Sequence, residues 1–245
     1  MTKRAPGGYG QQVEGKRAVR ELLVAGRRPV REVWIAGDGR DELAELGRAA
    51  GATVHLVDVA DLARRARTGA PQGVVARAEP LEPVALDTLL GDPAAFLVAL
   101  DGVTDPQNLG AVIRSAETAG ATGVVVPRHR SASVTPAVVK AAAGALEYVP
   151  VATVSGMPAA VTQASRAGVW SVGLDADGDT SVYDLAVADG ALMLVLGSEG
   201  SGLARLTRER CDLLARIPLH GRIASLNVAA AAAVACSEVA RARDR

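Results

Sequence analysis

Aromatic side chains are scarce in this chain. Its 245 residues include two tryptophans, three tyrosines and one phenylalanine. Proteins that hold single-stranded nucleic acid commonly stack the bases on aromatic rings, so this composition argues against a stacking platform. If the chain binds nucleic acid, basic groups and shape must supply the affinity.

Cysteine and histidine are also rare. Cys211 and Cys236 form neither a CxxC pair nor a disulfide framework, which is typical of a protein from a reducing compartment. His55, His129 and His220 are scattered along the chain and form no recognisable set of metal ligands. The sequence therefore predicts a cytoplasmic protein without a metal site.

Long apolar runs are missing as well. No segment approaches the ~18 apolar residues that a membrane-spanning helix needs. The charged start is not followed by an apolar segment, so no signal peptide is expected. The chain is nonetheless 49% hydrophobic, which is enough for a buried core. We expect a folded protein, outside the membrane, with one large domain or two modest ones.

The charges balance at 27 basic and 27 acidic residues, but they are unevenly distributed. Residues 1–31 hold 8 basic and 2 acidic residues, whereas residues 81–245 hold 13 and 17. A basic front end on a neutral chain indicates an anionic partner that one part of the molecule meets. The alternative is a solvated tail followed by a solvated helix face.

The first part of the chain alternates between helix and strand. Glycine, glutamine and charge predict a loose arm over residues 1–12, and residues 13–79 are expected to form a small α/β domain. Two prolines and mixed charge indicate a linker over 80–93. The predicted helices span 15–25, 41–50 and 60–67, and the predicted strands span 30–36, 53–57 and 73–78.

A second alternation fills residues 94–245. Its strands are short, continuous apolar runs, which is typical of a mainly parallel sheet covered on both faces. The predicted strands span 96–100, 124–126, 149–154, 170–174, 192–196 and 214–217. The predicted helices span 108–119, 136–146, 158–167, 203–208 and 226–243.

Three polar motifs follow strands of this second part. The first is Asp101-Gly-Val-Thr-Asp-Pro-Gln-Asn-Leu-Gly-Ala-Val-Ile-Arg-Ser-Ala-Glu-Thr-Ala-Gly120. A helix is expected to open near Asn108, with free N–H groups and a positive dipole end. Gly110 and Arg114 share one side of it, so Arg114 can reach a phosphate or a hydroxyl. The alternative is that Asn108 only caps the helix and Arg114 is a surface charge.

The second motif is the glycine-rich loop Leu196-Gly-Ser-Glu-Gly-Ser-Gly-Leu203. Glycines let the backbone approach a ligand closely. The glycine order differs from the Gly-x-Gly-x-x-Gly of dinucleotide-binding folds, and Glu199 would repel a phosphate. The loop therefore favours neither a dinucleotide nor a phosphate site, and a tight turn with a solvated Glu199 is the alternative to a ligand role.

The third motif is Ile217-Pro-Leu-His-Gly-Arg-Ile-Ala-Ser-Leu-Asn-Val228. Ser225 is predicted to be the N-cap of the final helix. Asn227 would then lie inside the first turn of an alanine-rich helix, against its helix propensity. Residues that break such local rules tend to mark working sites.

Taken together and in this order, the three motifs closely resemble those of the SpoU/TrmH family of RNA ribose 2′-O-methyltransferases. The resemblance is strong over residues 95–240. It is looser in the first domain, through Glu14-Gly-Lys-Arg-Ala-Val19 and Pro71-Gln-Gly-Val-Val-Ala76. Pro71 stands where members often have His, and Leu219 where many have Met. The polar motif residues of the family are all present.

The resemblance implies a SPOUT fold over residues 94–245, with a parallel sheet and a trefoil knot. It also implies an L30e-like RNA-binding domain over 13–79 and a homodimer with its active site near the subunit interface, for which the final helix is a candidate element. The cofactor would be S-adenosylmethionine (SAM), bent in the knot and held largely by backbone. Carried over, its contacts are Leu196, Gly197, Ile217, Leu219 and Leu226.

The implied reaction is in-line attack of a ribose 2′-oxygen on the SAM methyl group, with the protein supplying alignment. Arg114 resembles the catalytic arginine of the family. Because a guanidinium stays protonated, we expect it to hold the neighbouring phosphate and stabilise the developing alkoxide rather than act as a base. Asn108 and Asn227 would orient backbone, Arg114 or the ribose. Glu199 would fix Arg114 or a loop, and Ser225 would hydrogen-bond near the 2′-hydroxyl.

Basic groups would hold the RNA. The candidates are Lys16, Arg17, Arg20, Arg27, Arg28, Arg128 and Arg130.

A guanosine of 23S rRNA is the expected target, because tRNA enzymes of the family often lack the first domain. A tRNA ribose and an rRNA adenosine whose methylation confers thiopeptide resistance are the enzymatic alternatives. A non-catalytic RNA-binding protein of ribosome assembly is the alternative from another class, and a small-molecule nucleotide-binding enzyme is more remote.

Overall fold

A computed structural model of the chain describes residues 8–37, 40–129, 133–223 and 225–244. Arg130 and the first seven residues of the predicted arm lie outside this range. The chain divides into two compact units. Residues 1–83 and 134–148 form the first, and residues 84–133 and 149–245 form the second.

The helices and strands alternate along most of the chain. In chain order they are β1 (Gln12–Glu14), α1 (Lys16–Ala25), β2 (Val30–Ile35), α2 (Arg40–Ala49), β3 (Thr53–Leu56), α3 (Val59–Arg65), β4 (Val74–Ala78), α4 (Leu86–Leu90), β5 (Phe96–Asp101), α5 (Pro106–Thr118), β6 (Gly123–Pro127), α6 (Pro136–Ala141), β7 (Val151–Val154), α7 (Met157–Arg166), β8 (Trp170–Leu174), β9 (Thr180–Ser181), β10 (Leu192–Gly197), α8 (Arg205–Arg210), β11 (Leu213–Arg216) and α9 (Val228–Arg243). None of the helices in the part of the chain that the structure describes combines the length and apolarity that a membrane crossing requires.

The first unit is built on a four-stranded sheet with the order β1-β4-β2-β3. β4 runs antiparallel to both of its neighbours, and β2 and β3 are parallel. Helix α1 buries Val19, Leu22 and Leu23 and ends at Gly26, whose φ of 57° is left-handed and suits glycine. Residues 9–12 of the predicted arm belong to the fold of the first unit, because Tyr9 pairs with Leu81 and Gln12 pairs with Arg77.

A buried ion pair stabilises the first unit. Arg28 donates from Nη2 to Glu147 at 2.5 Å, and the two side chains are only 5% and 2% exposed. The same guanidinium donates from Nε to Glu147 at 2.9 Å and from Nη1 to the carbonyls of Gly10 and Glu79. This arrangement satisfies a buried charge that would otherwise be very costly. Glu147 follows α6, so the segment 134–148 is an integral part of this unit.

The second unit is built on a seven-stranded sheet with the order β7-β6-β5-β10-β8-β11-β9. All of these neighbouring strands are parallel, as the sequence predicts. On one face Phe96 lies under the guanidinium of Arg243 from α9, and on the other Leu97 and Met193 share a core cluster with Met157 of α7. The central strands are apolar throughout because helices cover both of their faces.

The segment predicted as a linker is partly a core element. α4 lies within residues 80–93, and its Leu86, Leu89 and Leu90 are buried in the core cluster of the second unit. The prolines at 80 and 83 precede this helix and do not extend into it. A five-residue helix is too short to show a clear period of apolar residues, so composition alone indicated a linker.

Both cysteines are free and poorly exposed. Burial raises the pKa of Cys236 to about 12, and burial together with the charges of Asp212 and Asp101 does the same for Cys211. Because the thiolate is the reactive form, a pKa this high leaves roughly a thousandth of the usual thiolate at pH 8. We expect a native protein that releases almost no thionitrobenzoate from Ellman's reagent and two equivalents in guanidinium chloride. Rapid release of two equivalents by the native protein would show that these thiols are accessible.

Candidate active site

The three sequence motifs meet at one edge of the seven-stranded sheet. They follow β5, β10 and β11, and the carboxyl ends of parallel strands lie at the same edge, where open α/β sheets bind their ligands. In the register of β5 and β10, Gly197 lies opposite Asp101, so the first two motifs leave the sheet side by side. β8 separates β10 from β11 in the sheet.

A hydrogen-bonded chain of side chains joins the three motifs. Asn227 donates from Nδ2 to Oδ1 of Asn108 at 3.2 Å, and Asn108 donates from Nδ2 to Oε1 of Glu199. The other end of the chain is held by the backbone, because Oδ1 of Asn227 accepts from the N–H of Ala229 at 2.8 Å. Each amide therefore has its oxygen and nitrogen assigned by a partner. The chain brings together three of the five predicted catalytic residues.

The caps of α5 and α9 differ from the prediction. Asp105, rather than Asn108, caps α5, since its Oδ1 accepts from the N–H of Gln107 at 3.0 Å. The helix begins at Pro106, so Asn108 lies within its first turn with its side chain available for Glu199. Asn227 caps α9, and the predicted cap Ser225 lies two residues before it and is exposed. Asn227 is therefore at a position that asparagine favours. It was expected inside the first turn only because the predicted helix began two residues too early.

The glycine-rich loop folds back on the end of its own strand. Ser198 and Gly202 exchange two backbone hydrogen bonds of 3.0 and 2.9 Å, and Gly200 has a φ of +84°. A Cβ atom on Gly197 would lie 2.0 Å from the carbonyl carbon of Gly202 and 2.3 Å from the nitrogen of Leu203. Only glycine permits this close approach of two backbone segments.

A cavity of about 890 Å³ lies against this loop. It is within the range that small-molecule and cofactor sites occupy. All of the predicted cofactor contacts line it: Leu196, Gly197, Ile217, Leu219 and Leu226. The predicted catalytic residues Glu199 and Ser225 line it as well. The lining combines apolar side chains with carboxylates and hydroxyls, which fits a ligand that has an apolar ring system and polar ends.

Arg114 is exposed on α5, six residues beyond Asn108. Within the described part of the chain, no residue accepts a hydrogen bond from its guanidinium. Its carbonyl accepts from Oγ1 of Thr118 at 3.0 Å. Glu199 was expected to fix either Arg114 or a loop, and in the structure it contacts Asn108 instead of Arg114. The guanidinium is left available for an anionic ligand.

The basic residues proposed for RNA have different environments. Lys16 and Arg17 are exposed in the first turn of α1, whereas Arg20 pairs with Glu42 at 2.9 Å. Arg27 donates to the carbonyls of Glu147 and Tyr148. Arg128, in the second unit, is exposed directly after β6.

The prediction that Arg28 binds RNA is wrong. Its guanidinium is buried against Glu147, Gly10 and Glu79, so it cannot contact a phosphate and is a structural residue. A charge count does not distinguish it from Arg27, because burial of an arginine depends on a carboxylate more than a hundred residues away.

Asp175 was not among the residues predicted from the sequence, although it lines the cavity. It follows β8 directly and lines the cavity on the wall formed by residues 174–177. Its position was the available signal, because a carboxylate immediately after a parallel strand lies at the same sheet edge as the three motifs.

Two family models match the chain. The model described as the SpoU rRNA Methylase family matches residues 95–237, which include the whole site. The model described as RNA 2′-O ribose methyltransferase substrate binding matches residues 12–84.

Curated relatives match over most of the chain. A 23S rRNA (guanosine-2′-O-)-methyltransferase RlmB from a Burkholderia species is 49% identical over 178 residues, which cover 70% of this chain and 70% of that protein. An uncharacterized tRNA/rRNA methyltransferase from Mycolicibacterium vanbaalenii is 41% identical over 240 residues, which cover 94% of this chain and 76% of that protein.

Solved structures match nearly the full chain. The SpoU methyltransferase AviRb from Streptomyces viridochromogenes, in complex with AdoMet, superposes with a TM-score of 0.79 at 30% identity and covers 95% of this chain and 90% of its own. An AdoMet-bound rRNA methyltransferase from Sinorhizobium meliloti superposes with a TM-score of 0.77 at 27% identity, covering 94% and 87%.

Proposed function

Since the chain belongs to the SpoU rRNA methylase family, we propose that it transfers the methyl group of SAM to a ribose 2′-hydroxyl of rRNA. The observation that carries this proposal is the hydrogen-bonded chain of Asn108, Glu199 and Asn227 beside a cofactor-sized cavity. Such an arrangement can orient polar groups next to a bound cofactor.

The cavity supports SAM as the cofactor. Leu196, Gly197, Ile217, Leu219 and Leu226 would hold it, and all five line the cavity. Two solved structures that resemble this chain contain bound AdoMet. The cofactor supplies an activated methyl group, so the protein has to supply alignment and charge stabilisation.

Replacing Gly197 with alanine tests this assignment. The new Cβ would overlap the backbone of Gly202, so the loop must move, at a cost of about 1–3 kcal/mol of stability. We expect the affinity for SAM to fall by about tenfold or more, because the displaced loop forms the cavity wall. Isothermal titration calorimetry measures the affinity and thermal unfolding measures the stability. Gly156→Ala is the matched control, because a Cβ there meets open space and the backbone is extended. Equal SAM binding by both variants would contradict the role of this loop.

Arg114 is proposed as the residue that binds the RNA phosphate next to the reacting ribose. A guanidinium presents five N–H donors in a planar fork and keeps its charge at any physiological pH. It can therefore stabilise the negative charge that develops on the 2′-oxygen as the proton leaves. Proton loss goes to water or another group, since a protonated guanidinium has no lone pair to accept it.

The hydrogen-bonded chain is proposed to hold the polar groups around the ribose. Asn108 and Asn227 fix each other and the start of α9, and Glu199 accepts from Asn108. Ser225 lines the cavity and is exposed, so its hydroxyl is available to the ribose 2′-hydroxyl. Glu199 thus acts through Asn108 rather than through Arg114.

A guanosine of 23S rRNA is the proposed target. The Burkholderia relative is a 23S rRNA (guanosine-2′-O-)-methyltransferase, and the family model for RNA substrate binding matches residues 12–84 of this chain. The exposed Lys16 and Arg17 of the first unit, and Arg128 of the second, are proposed to contact the RNA backbone. The enzyme would then act in the cytoplasm, where rRNA is made.

The finer features of the fold are also proposals. We propose a trefoil knot, supported by the close approach of two distant backbone segments at Gly178, whose Cβ would lie 2.7 Å from the carbonyl carbon of Ala215. We propose an L30e-like fold for the first unit on the basis of its α/β sheet. A homodimer is supported by Ile223, an apolar side chain that is 76% exposed at the cavity and is not among the proposed cofactor contacts.

Transfer of labelled methyl from SAM to separated 23S rRNA, 16S rRNA and tRNA, from cells that lack this gene, tests the substrate. We expect label in 23S rRNA. Label only in tRNA would keep the chemistry and overturn the target. Absence of label from every fraction and from immature ribosomal particles, together with failure to bind SAM, would leave a non-catalytic RNA-binding protein.

A further inference from the structure

One charged residue of the cavity wall, Asp175, is held by hydrogen bonds and lies outside the three sequence motifs. The side chain of Asp175 is 16% exposed, and it lines the cavity together with Leu174, Ala176 and Asp177. This wall lies outside all three motifs, which follow β5, β10 and β11, whereas Asp175 follows β8.

Two hydrogen bonds fix the carboxylate of Asp175. Arg208 of α8 donates from Nε to Oδ2 at 2.8 Å, and the N–H of Asp177 donates to Oδ1 at 2.9 Å. Burial by itself would raise the pKa of Asp175, but these two donors outweigh it and hold the pKa below its ordinary value. The carboxylate is therefore ionised at neutral pH and held in one orientation.

The backbone around Asp175 is held equally firmly. Its N–H donates to the carbonyl of Ala215 at 2.9 Å, and its carbonyl accepts from Gly178 at 3.1 Å. Arg216 donates from Nη1 to the carbonyls of Gly178 and Asp179 at 2.7 and 2.8 Å. The turn 175–179 is thus a rigid wall, and a rigid wall can present a polar group to a ligand at little entropic cost.

Each oxygen of the Asp175 carboxylate can accept one more hydrogen bond. A carboxylate oxygen can accept two hydrogen bonds, and the protein supplies one to each. The cofactor contacts proposed above are apolar side chains and a glycine. None of these five residues has a carboxylate that could accept a hydrogen bond from the N–H and O–H donors of SAM. Asp175 lies on the wall of the same cavity.

We propose that Asp175 is a further cofactor-binding residue, which accepts a hydrogen bond from a hydroxyl or amino donor of SAM, and that Arg208 positions it. This inference rests on the proposed function of the cavity as a SAM site. Arg208 itself does not line the cavity, so it acts only through Asp175.

Calorimetric titration of the full-length protein with SAM and with S-adenosylhomocysteine tests the proposal. Asp175→Asn should weaken binding of both ligands by about tenfold, because both carry the hydroxyl and amino donors. Arg208→Ala should weaken binding by about fivefold and Arg208→Lys by less, since lysine keeps the charge but loses the geometry of the guanidinium. Loss of affinity for SAM alone would contradict a donor contact and indicate attraction to the sulfonium charge.

A double mutant separates positioning from a general structural effect. Because Arg208 acts through Asp175, adding Arg208→Ala to Asp175→Asn should weaken SAM binding by less than about twofold further. The affinity for RNA and the unfolding temperature should stay close to wild type. Additive losses in the double mutant would overturn the positioning role.

Arg205 provides the matched control. It lies on the same helix and pairs with Glu209 at 2.7 Å, with side chains that are 77% and 51% exposed. Arg205→Ala should bind SAM like the wild type, and an Arg208→Ala protein that behaves identically would overturn the proposal. Failure of the wild-type protein to bind SAM would instead refute the proposed function as well, so the two failures can be distinguished.

Discussion

Replacement of Arg114 by alanine should lower kcat for methyl transfer by about 100- to 1000-fold, the loss seen when one donor to a developing oxyanion is removed. The affinity for SAM should remain within about twofold of wild type, because Arg114 does not line the cavity. Arg114→Lys should recover little, since an ammonium cannot replace the planar fork of donors. Single-turnover transfer of labelled methyl to saturating RNA measures the chemical step directly.

The control for Arg114 is Arg166, an exposed arginine at the end of α7 in the same unit. Arg166→Ala removes the same charge without touching the site, so its rate should match wild type. If Arg114→Ala kept full turnover, the assignment would be wrong. If it changed only the KM for RNA, Arg114 would bind RNA without acting on the transition state.

The largest loss of stability is expected at the buried ion pair of the first unit. Arg28→Ala leaves Glu147 buried and charged without its partner, and Glu147→Ala does the reverse. Breaking such a pair typically costs about 3–5 kcal/mol. Urea unfolding followed by the fluorescence of Trp34 measures this, since Trp34 is 3% exposed and belongs to the same unit. A Trp170→Phe background removes the second tryptophan signal.

Two comparisons make the stability prediction specific. Replacing both partners, as Arg28→Met with Glu147→Leu, should cost less than either alanine variant, because neither charge is left unpaired. Arg31→Ala should cost far less than Arg28→Ala, because Arg31 is 71% exposed in its pair with Glu79. Equal losses at Arg28 and Arg31 would show that burial of the pair does not determine its contribution.

The fold class follows from the sequence because strand burial has a direct signature. β5 and β10 are continuous apolar runs, which predicted a parallel sheet covered on both faces, and the structure confirms that sheet. Short elements were harder to predict. The three residues of β1 fell partly in the predicted arm, and the two residues of β9 were missed. Such short strands form because a neighbouring strand offers hydrogen bonds, and composition does not show that neighbour.

Helix boundaries were wrong where two residues competed to cap the same helix. Ser225 and Asn227 are both good caps, and so are Asp105 and Asn108, so local preference could not choose between them. The structure assigns the caps to Asp105 and Asn227 through their side-chain hydrogen bonds. In both helices the shift is two or three residues.

Contacts between residues far apart in the sequence could not be predicted either. Seven of the residues that line the cavity were predicted from the motifs of a known family, and the structure brings those seven together. The link from Asn108 to Glu199 spans 91 residues and that from Arg28 to Glu147 spans 119. No local pattern encodes such contacts, so the sequence did not show that Glu199 contacts Asn108 or that Arg28 pairs with Glu147 instead of binding RNA.

The position of the transferred methyl group tests the central claim most directly. RNA labelled from SAM by the purified protein is hydrolysed in alkali, which cleaves every linkage that has a free 2′-hydroxyl. We expect the label in alkali-resistant dinucleotides, whose first nucleoside is a guanosine, and we expect it to disappear with Arg114→Ala. Label recovered in mononucleotides, on a base, would contradict ribose methylation.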